Sequence, residues 1–405
     1  MNDLTTVQAN LISNREYWDK RLLAMIKLES TNFVFSNLGV MRDIPKNAGT
    51  TSYSARRYNS LPVRSLATPQ AANAASEKLL EGSANAPLKA EAQKVTATLD
   101  QFGAWMKVTD RVEDIHLDSI RQVYQPELAR HAAEVKERNI ISKFSDASEY
   151  YVDGVSTASY ELGTDDVLSM KALRKIALAM RIHRRQGHSK FGGKPVTVLH
   201  SVVMEDLLDD ADLKDRLLLP GNENLPIKLG TLKGYQFYGM YVIESLIAET
   251  VSAHADKYAD LVADEKSAAT VAALQALTST TVAVNDLYAC VADGKIYKCA
   301  TATASASTWA VDTTNDFTVY TSYMLGKDPY VVLTLGNSGV SWHSTGFEAE
   351  KTDPLGQIAT FGYKMYTGAK VIDPIAIVKI YSRSPYDVAN DIFDSDSLMD
   401  TASQA

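Results

Sequence analysis

The sequence of 405 residues contains only two cysteines, no long apolar run and no motif of a known catalytic site. Two cysteines form neither a disulfide framework nor a cysteine-based zinc site, which is typical of a chain that folds in a reducing cytoplasm. No run approaches the ~18 apolar residues that a transmembrane helix needs. Residues 1–4 carry neither the basic flank nor the apolar core of a secretory signal. We therefore expect a soluble protein.

The segments that come nearest to catalytic motifs lack the required pattern. The stretch GHSKFGGKP over 187–195 looks like a phosphate-binding loop, but Gly193 displaces the lysine and Pro195 replaces the hydroxyl residue that should follow it. His183 and His188 lie in a basic run with no cysteine or carboxylate to complete a metal site, so we interpret them as surface histidines. We predict no enzyme, no cofactor and no metal site.

The charge pattern excludes one class of function and leaves another open. A net charge of −8 argues against a protein that grips nucleic acid over its whole surface. Two segments are nevertheless basic, and each contains a pair of arginines: Arg56 and Arg57 within 42–64, and Arg184 and Arg185 within 171–194. Contact with packaged nucleic acid, contact with an acidic neighbour and plain solvation all fit these residues.

Hydrophobic periodicity predicts a mixture of helices and strands. Helices are expected over 4–29, over 115–144, after a cap at Asp165-Asp166, and over 201–218. Strands are expected over 95–108, over 194–199, in a hairpin over 229–246 and over 329–336, and two or three more are expected over 356–383. Residues 39–70 have little periodicity, and 71–92 reads as a long exposed loop. This loop and the strand after it predict a projecting β-arm, which a neighbouring chain would have to stabilise.

Residues 251–316 have the composition of a small inserted β module. Asp293-Gly294 is typical of a two-residue hairpin turn. Such a turn places Cys290 opposite Tyr297, so Cys290 and Cys299 would sit diagonally and remain thiols. With Tyr297 and Trp309, the module resembles chitin-binding-like carbohydrate modules, in which aromatic rings stack on sugars. The simpler interpretation is that both rings form the core of the module itself.

Several stretches follow one another in a familiar order. They are VTATLDQFGAWMKVTDRVED, LGTLKGYQFYGMYVIES, MLGKDPYVVLTLG and KTDPLGQIATFGYKMYTGAKVID. As an ordered set, they resemble the major capsid proteins of tailed bacteriophages with the Hong Kong 97-type fold. The resemblance is closest to the coat-protein branch of short-tailed phages and covers 33–250 and 317–383.

The resemblance implies an α+β fold with the parts of such a capsid protein. These parts are an N-terminal arm (1–60), an E-loop (61–107), a P-domain with a long spine helix (108–166), an A-domain (167–250), the inserted module (251–316), the A-domain end with strands returning to the P-domain (317–385), and an acidic tail (386–405).

The resemblance also implies a function without catalysis. The chain would self-assemble as hexamers and pentamers into the icosahedral head that encloses a phage genome. It would be located in the virion after assembly in the cytoplasm of the host bacterium, and it would have no membrane partner. Further partners would be scaffold, portal and decoration proteins, and double-stranded DNA on the inner face. The alternative is a glycan-binding virion surface protein that acts through 251–316.

Overall fold

The structure is a computed structural model, and it describes most of the chain between residues 34 and 385. The described residues are 34–58, 61, 77–78, 87–89, 92–115, 120–183, 187–211, 213, 227–229, 232–237, 239–245, 248–277, 281–303, 306–314, 317–336, 339–345 and 355–385. Several predicted features lie outside them: the helix over 4–29, most of the loop over 71–92, the tail over 386–405, Arg184 and Arg185.

Seven helices are described in this part of the chain. They are α1 (Phe35–Leu38), α2 (Asp110–Ile115), α3 (Ile120–Ile141), α4 (Met170–Ile182), α5 (Ser201–Asp209), α6 (Ala253–Ala263) and α7 (Val271–Gln275). The strands are β1 (Val40–Ile44), β2 (Ser52–Tyr58), β3 (Ala92–Thr98), β4 (Asp100–Thr109), β5 (Ser148–Tyr151), β6 (Val196–His200), β7 (Ile227–Leu229), β8 (Leu232–Phe237), β9 (Met240–Ser245), β10 (Thr250–Ser252), β11 (Ser267–Ala268), β12 (Leu287–Cys290), β13 (Lys295–Ala302), β14 (Ser307–Val311), β15 (Thr318–Leu325), β16 (Tyr330–Leu335), β17 (Val340–Thr345), β18 (Ile358–Val371) and β19 (Ile377–Ser382).

These elements form two compact units. The first unit contains the described parts of 39–143 and 330–373. The second contains those of 34–38, 144–329 and 374–385. Each unit is therefore assembled from segments that are distant in sequence.

The first unit is built on a five-stranded sheet around the long strand β18. Strand β18 pairs with β4 along one edge and with β17 and β16 along the other, and β1 extends the sheet in parallel with β16. Alternate residues Phe361, Tyr363 and Met365 are buried on one face. Helix α3 packs against β18 and β4, and the His131 Nδ1–Tyr363 Oη distance is 2.8 Å. One face of the sheet thus forms the core with this helix.

Helix α3 corresponds to the long helix predicted over 115–144. It begins at Ile120, so Pro126 lies inside the helix and does not start it. Its buried apolar side chains lie mostly at three- and four-residue steps: Leu128, Ala129, Ala132, Ala133, Ile140 and Ile141. The small alanines allow the helix to lie close to the sheet, as expected for a helix that covers a sheet face.

The single strand predicted over 95–108 is two strands that belong to different sheets. Strand β3 pairs with β2 in a two-stranded sheet, called the ribbon below, and β4 pairs with β18 over ten residue pairs. The change occurs at Leu99, whose amide donates to the carbonyl of Thr51 at 2.9 Å. We expected the edge of β4 to pair with a neighbouring chain. It pairs instead with β18 of the same chain.

The second unit contains an eight-stranded mixed sheet in the order β5-β19-β15-β6-β9-β8-β7, with β10 also paired to β15. The buried strand predicted over 194–199 is β6, which begins at Val196, and the hairpin predicted over 229–246 contains β8 and β9. The apolar sides of α4 and α5 form a core with this sheet through Leu173, Leu207 and Met324.

The cap of α4 differs from the prediction. The helix begins at Met170, and Ser169 is its N-cap, whose hydroxyl accepts from the amide of Ala172 at 3.3 Å. Asp166 instead accepts from the amide of Gly163 at 2.6 Å in the preceding turn. The prediction at Asp165-Asp166 was wrong because aspartate stabilises such turns as well as it caps helices.

His188 is buried in the second unit, so its interpretation as a surface histidine was wrong. Only 1% of the residue is exposed. Its Nδ1 accepts from the amide of Lys190 at 3.2 Å, and its Nε2 lies 2.8 Å from the carbonyl oxygen of Leu38. This geometry requires the neutral ring with the proton on Nε2. The histidine thus ties α1 to the loop before β6.

We expect His188 to make the stability of this unit pH-dependent. Burial lowers the pKa of His188 below its usual 6.5, and nearby Lys190 adds to this, whereas the Leu38 carbonyl and Asp328 oppose it. Since the unfolded chain protonates more readily, stability should be complete above about pH 6.5 and should fall as the pH drops through the folded pKa. In thermal unfolding at several pH values, His188→Gln should flatten this dependence. If the variant and the wild type lost stability equally steeply between pH 7.5 and 5.5, His188 would not be the source of the pH dependence.

A separate four-stranded sheet, β11-β12-β13-β14, lies within residues 267–311 of the second unit. Cys290 is paired with Lys295, so the connection is a four-residue loop that ends at Gly294 with a φ of 68°. The predicted two-residue turn, which placed Cys290 opposite Tyr297, was therefore wrong, and Tyr297 faces Tyr288. Both cysteines are free and buried.

Candidate assembly surfaces

The ribbon formed by β2 and β3 is anchored through one of its two faces. Tyr53 and Ala97 face each other in the ribbon and pack with Ile44, Val331 and Leu333 in an apolar cluster. The inner face thus belongs to the core of the first unit. Because an isolated two-stranded sheet is at best marginally stable in water, this anchorage supports the base of the ribbon.

Arg57 also lies on the inner side and has a partner within the chain. Its guanidinium is 3.3 Å from the Asp373 carboxylate, and the two side chains are only 17% and 8% exposed. The expected contact of Arg57 with a neighbour or with the genome thus competes with an internal ion pair.

The outer face of the ribbon carries the other cations. Arg56 is exposed and lies directly opposite Lys94, which is exposed as well. Tyr58, one of the most exposed aromatic residues described, is 65% exposed. The Ser54 and Thr96 hydroxyls approach each other at 3.5 Å beside this pair. This face is polar and basic and has one large aromatic ring.

The open face of the five-stranded sheet forms a shallow groove in the first unit. Trp105 on β4 is 68% exposed, and Gly362 on β18 faces both Trp105 and His343 in the strand register. A side chain at Gly362 would collide with the backbone of Ala104, so the glycine allows the strands to approach and leaves the groove floor bare. The groove has a volume of about 400 Å³ and includes Lys364 in its lining.

The two aromatic rings predicted as glycan contacts take part in the packing of the four-stranded sheet. Tyr297 is buried, and its hydroxyl donates to Asp293 at 2.6 Å. The indole of Trp309 donates to the Leu274 carbonyl at 2.8 Å and packs edge-on against Tyr288. These contacts correspond to the simpler interpretation, in which the rings form the core of the module. Contact of these rings with a glycan stays a hypothesis.

None of the described residues form a cluster of three or more His, Cys, Asp and Glu side chains that could hold a metal ion. Within the same ranges, no helix is both long and apolar enough to cross a membrane. The two surfaces that stand out, the outer ribbon face and the sheet groove, are suited to contacts with macromolecules.

Comparison with known proteins connects this architecture to viral shells. No family model matches the sequence, and no curated protein is detectably related to it. The capsid structure of cyanophage Pam1 matches with a TM-score of 0.51 and 10% identity, over 88% of this chain and 93% of that one. The capsid of Ralstonia phage GP4 matches at 0.49 and 11% identity, over 86% and 90%. That of cyanophage P-SCSP1u matches at 0.46 and 13% identity, over 87% and 88%.

The Pam1 match spans nearly all of both chains, and it therefore includes both compact units. It confirms the predicted α+β class and capsid-type fold. The predicted domain boundaries, and the view of 251–316 as an insertion, stay predictions. At 10% identity the similarity lies in the path of the chain and not in its residues. This chain has the fold of the phage capsid proteins.

Proposed function

We propose that the chain is a major capsid protein that self-assembles as hexamers and pentamers into an icosahedral head around a phage genome. It acts without catalysis, in the virion, after assembly in the cytoplasm of a host bacterium. Scaffold and portal proteins take part in assembly, decoration proteins bind the outside, and double-stranded DNA lies against the inner face.

The observation that carries this proposal is the ribbon. Its inner face is packed, but its outer face exposes Tyr58 together with two cations. Contact with a second chain would bury this face and stabilise a strand pair that is marginal by itself. The exposed Trp105 supports the same conclusion, because tryptophan and tyrosine are enriched at protein interfaces. A chain with this fold and such surfaces is suited to contacts between copies.

The test is assembly of the purified full-length chain. We expect hexamers, pentamers or closed shells by sedimentation and electron microscopy, either alone or with the scaffold protein encoded by the same phage. A chain that stays monomeric under every assembly condition, with the scaffold present, would contradict the proposal.

A further inference from the structure

We propose that the acidic tail, residues 386–405, binds to an exposed stripe of helix α4 in its own chain. Its aspartates would contact the lysines of this stripe, and its apolar side chains would cover the leucine and isoleucine there. The inference concerns the single chain, so it goes beyond the capsid function and does not depend on it.

The first observation is the exposed side of α4. This side carries four cations, and the helix contains no acid. Leu178 and Ile182, one turn apart on the same side, are 52% and 69% exposed. Residues at steps of three and four share one side of a helix. The stripe therefore runs from a basic end to an apolar end, through Lys171, Lys175, Leu178 and Ile182.

The second observation is the position of the last described residues. The amide of Arg383 donates to the carbonyl of Asp166 at 2.9 Å, just before the start of α4. The Ser384 hydroxyl donates to the carboxylate of Asp206 on α5 at 3.0 Å. The acidic tail therefore begins beside the basic end of the stripe.

The length of the acidic tail is more than sufficient. Helix α4 has 13 residues and is therefore about 20 Å long. An extended chain covers ~3.3 Å per residue, so about six of the residues after Pro385 can pass along the whole helix. The tether also holds the tail at an effective concentration of about millimolar, which allows weak contacts to persist.

The third observation is that the acidic tail matches the stripe in chemistry and in order. It contains five aspartates and no lysine, arginine or glutamate. Asp387 and Asp391 come first, and the apolar pair Ile392-Phe393 follows them. A segment that starts at the basic end thus meets the two lysines with its first aspartates and then reaches the apolar end with Ile392 and Phe393.

The neighbouring helix α5 is unsuited to the acidic tail. It exposes Glu205 and Asp209 and contains no lysine or arginine. Helices α4 and α5 pack in the same core, but only α4 of these two offers the opposite charge. A nucleic acid also suits the stripe less well, because it binds through many phosphate contacts and would leave Leu178 and Ile182 without an apolar partner.

The first experiment is zero-length coupling in the soluble, unassembled full-length chain. A water-soluble carbodiimide activates a carboxylate, and a lysine amine in contact with it forms an amide while the carbodiimide becomes a urea. A mixture of ¹⁴N and ¹⁵N chains should give peptides that join Lys171 or Lys175 to an aspartate of the acidic tail of the same isotope. Products that join different isotopes would place the tail on a second copy and overturn the proposal. Absence of any product at both lysines would overturn it as well.

The second experiment measures the acetylation rate of each lysine by mass spectrometry. Replacement of all five tail aspartates by asparagine should raise the rates at Lys171 and Lys175 by about threefold or more. Lys298, an exposed lysine on β13, is the internal control and should react equally in both chains. Equal rates at Lys171 and Lys175 in the two chains would overturn the proposal.

The third experiment changes the helix and measures the tail. Lys171→Glu with Lys175→Glu should raise the rate at which a protease specific for aspartate cleaves the acidic tail by about threefold or more. The matched control Lys298→Glu should leave that rate unchanged, and both variants should keep the circular dichroism of the wild type. Cleavage at the wild-type rate in the double variant would overturn the proposal.

These outcomes are separate from those of the assembly test, because all three experiments use the unassembled chain. Failure of the tail to bind α4 would leave the capsid function intact. Failure of the chain to assemble would contradict the capsid function without affecting the contact proposed for the acidic tail.

Discussion

Shortening the ribbon to four residue pairs is expected to abolish particle assembly without unfolding the chain. Ala55 and Val95 are direct partners in the register, so a two-residue Asn-Gly turn can join them in place of 56–94. The shortened hairpin keeps Tyr53 and Ala97 in their apolar cluster. Asp373→Asn is added, since the deletion removes Arg57, which forms an ion pair with this buried carboxylate.

The result is measured by sedimentation and electron microscopy beside thermal unfolding. We expect a thermal midpoint within about 4 °C of the wild type, since the core contacts remain, together with complete loss of particles. The full-length chain with Asp373→Asn alone is the control and should still assemble. Normal particles from the shortened chain would show that the ribbon beyond Ala55 is dispensable and would contradict the role proposed for it.

Phe35→Ala is expected to destabilise the second unit by about 3–5 kcal/mol. The ring is fully buried, and it packs edge-on against two other buried rings, Tyr323 at 5.2 Å and Phe144 at 5.8 Å between centroids. The aromatic cluster thus brings together three distant parts of the chain. Phe35 lies on α1, Phe144 lies in the 3-10 turn that follows α3, and Tyr323 lies on β15. Removal of this ring leaves a cavity beside two rings that also contact each other.

Urea unfolding of the variant measures the effect. Val155→Ala, at a position that is 85% exposed, is the control and should change the free energy of unfolding by less than about 0.5 kcal/mol. A double-mutant cycle with Phe144→Ala should give a coupling of roughly 0.5–1.5 kcal/mol for the edge-on pair. A loss below about 1 kcal/mol for Phe35→Ala would contradict the packing described.

Local patterns in the sequence identified several of the long elements correctly. Apolar runs placed β6 and β16, alternation placed β18, and three- and four-residue steps placed α3. These succeeded because burial on one face imposes a period on the chain, and the period depends only on the local backbone geometry. The order of the elements also sufficed to indicate the capsid-type fold.

The wrong predictions concern how the elements pair and pack with one another. The alternation changes phase after Leu99, since apolar residues occupy odd positions up to Leu99 and even positions from Phe102. This change marks a break in the strand, but it does not show that the first half pairs with β2 and the second with β18. Asp293-Gly294 indicated a turn, yet the hydrogen bond from Tyr297 to Asp293 favours a longer loop and shifts the register. His188 has no local signal of burial, since its environment includes Leu38, 150 residues away.

The same division applies to the candidate surfaces. Composition identified Arg56 and Arg57 as notable cations, but only the strand register places Arg56 against Lys94 and turns Arg57 toward Asp373. The groove beside Trp105 depends on Gly362 from a strand that lies more than 250 residues further along the chain. The sequence by itself determined several of the long helices and strands and their order along the chain, because these follow from local periodicity. Only the tertiary structure decided which faces are covered and which charges are paired within the chain, because those depend on contacts between distant residues.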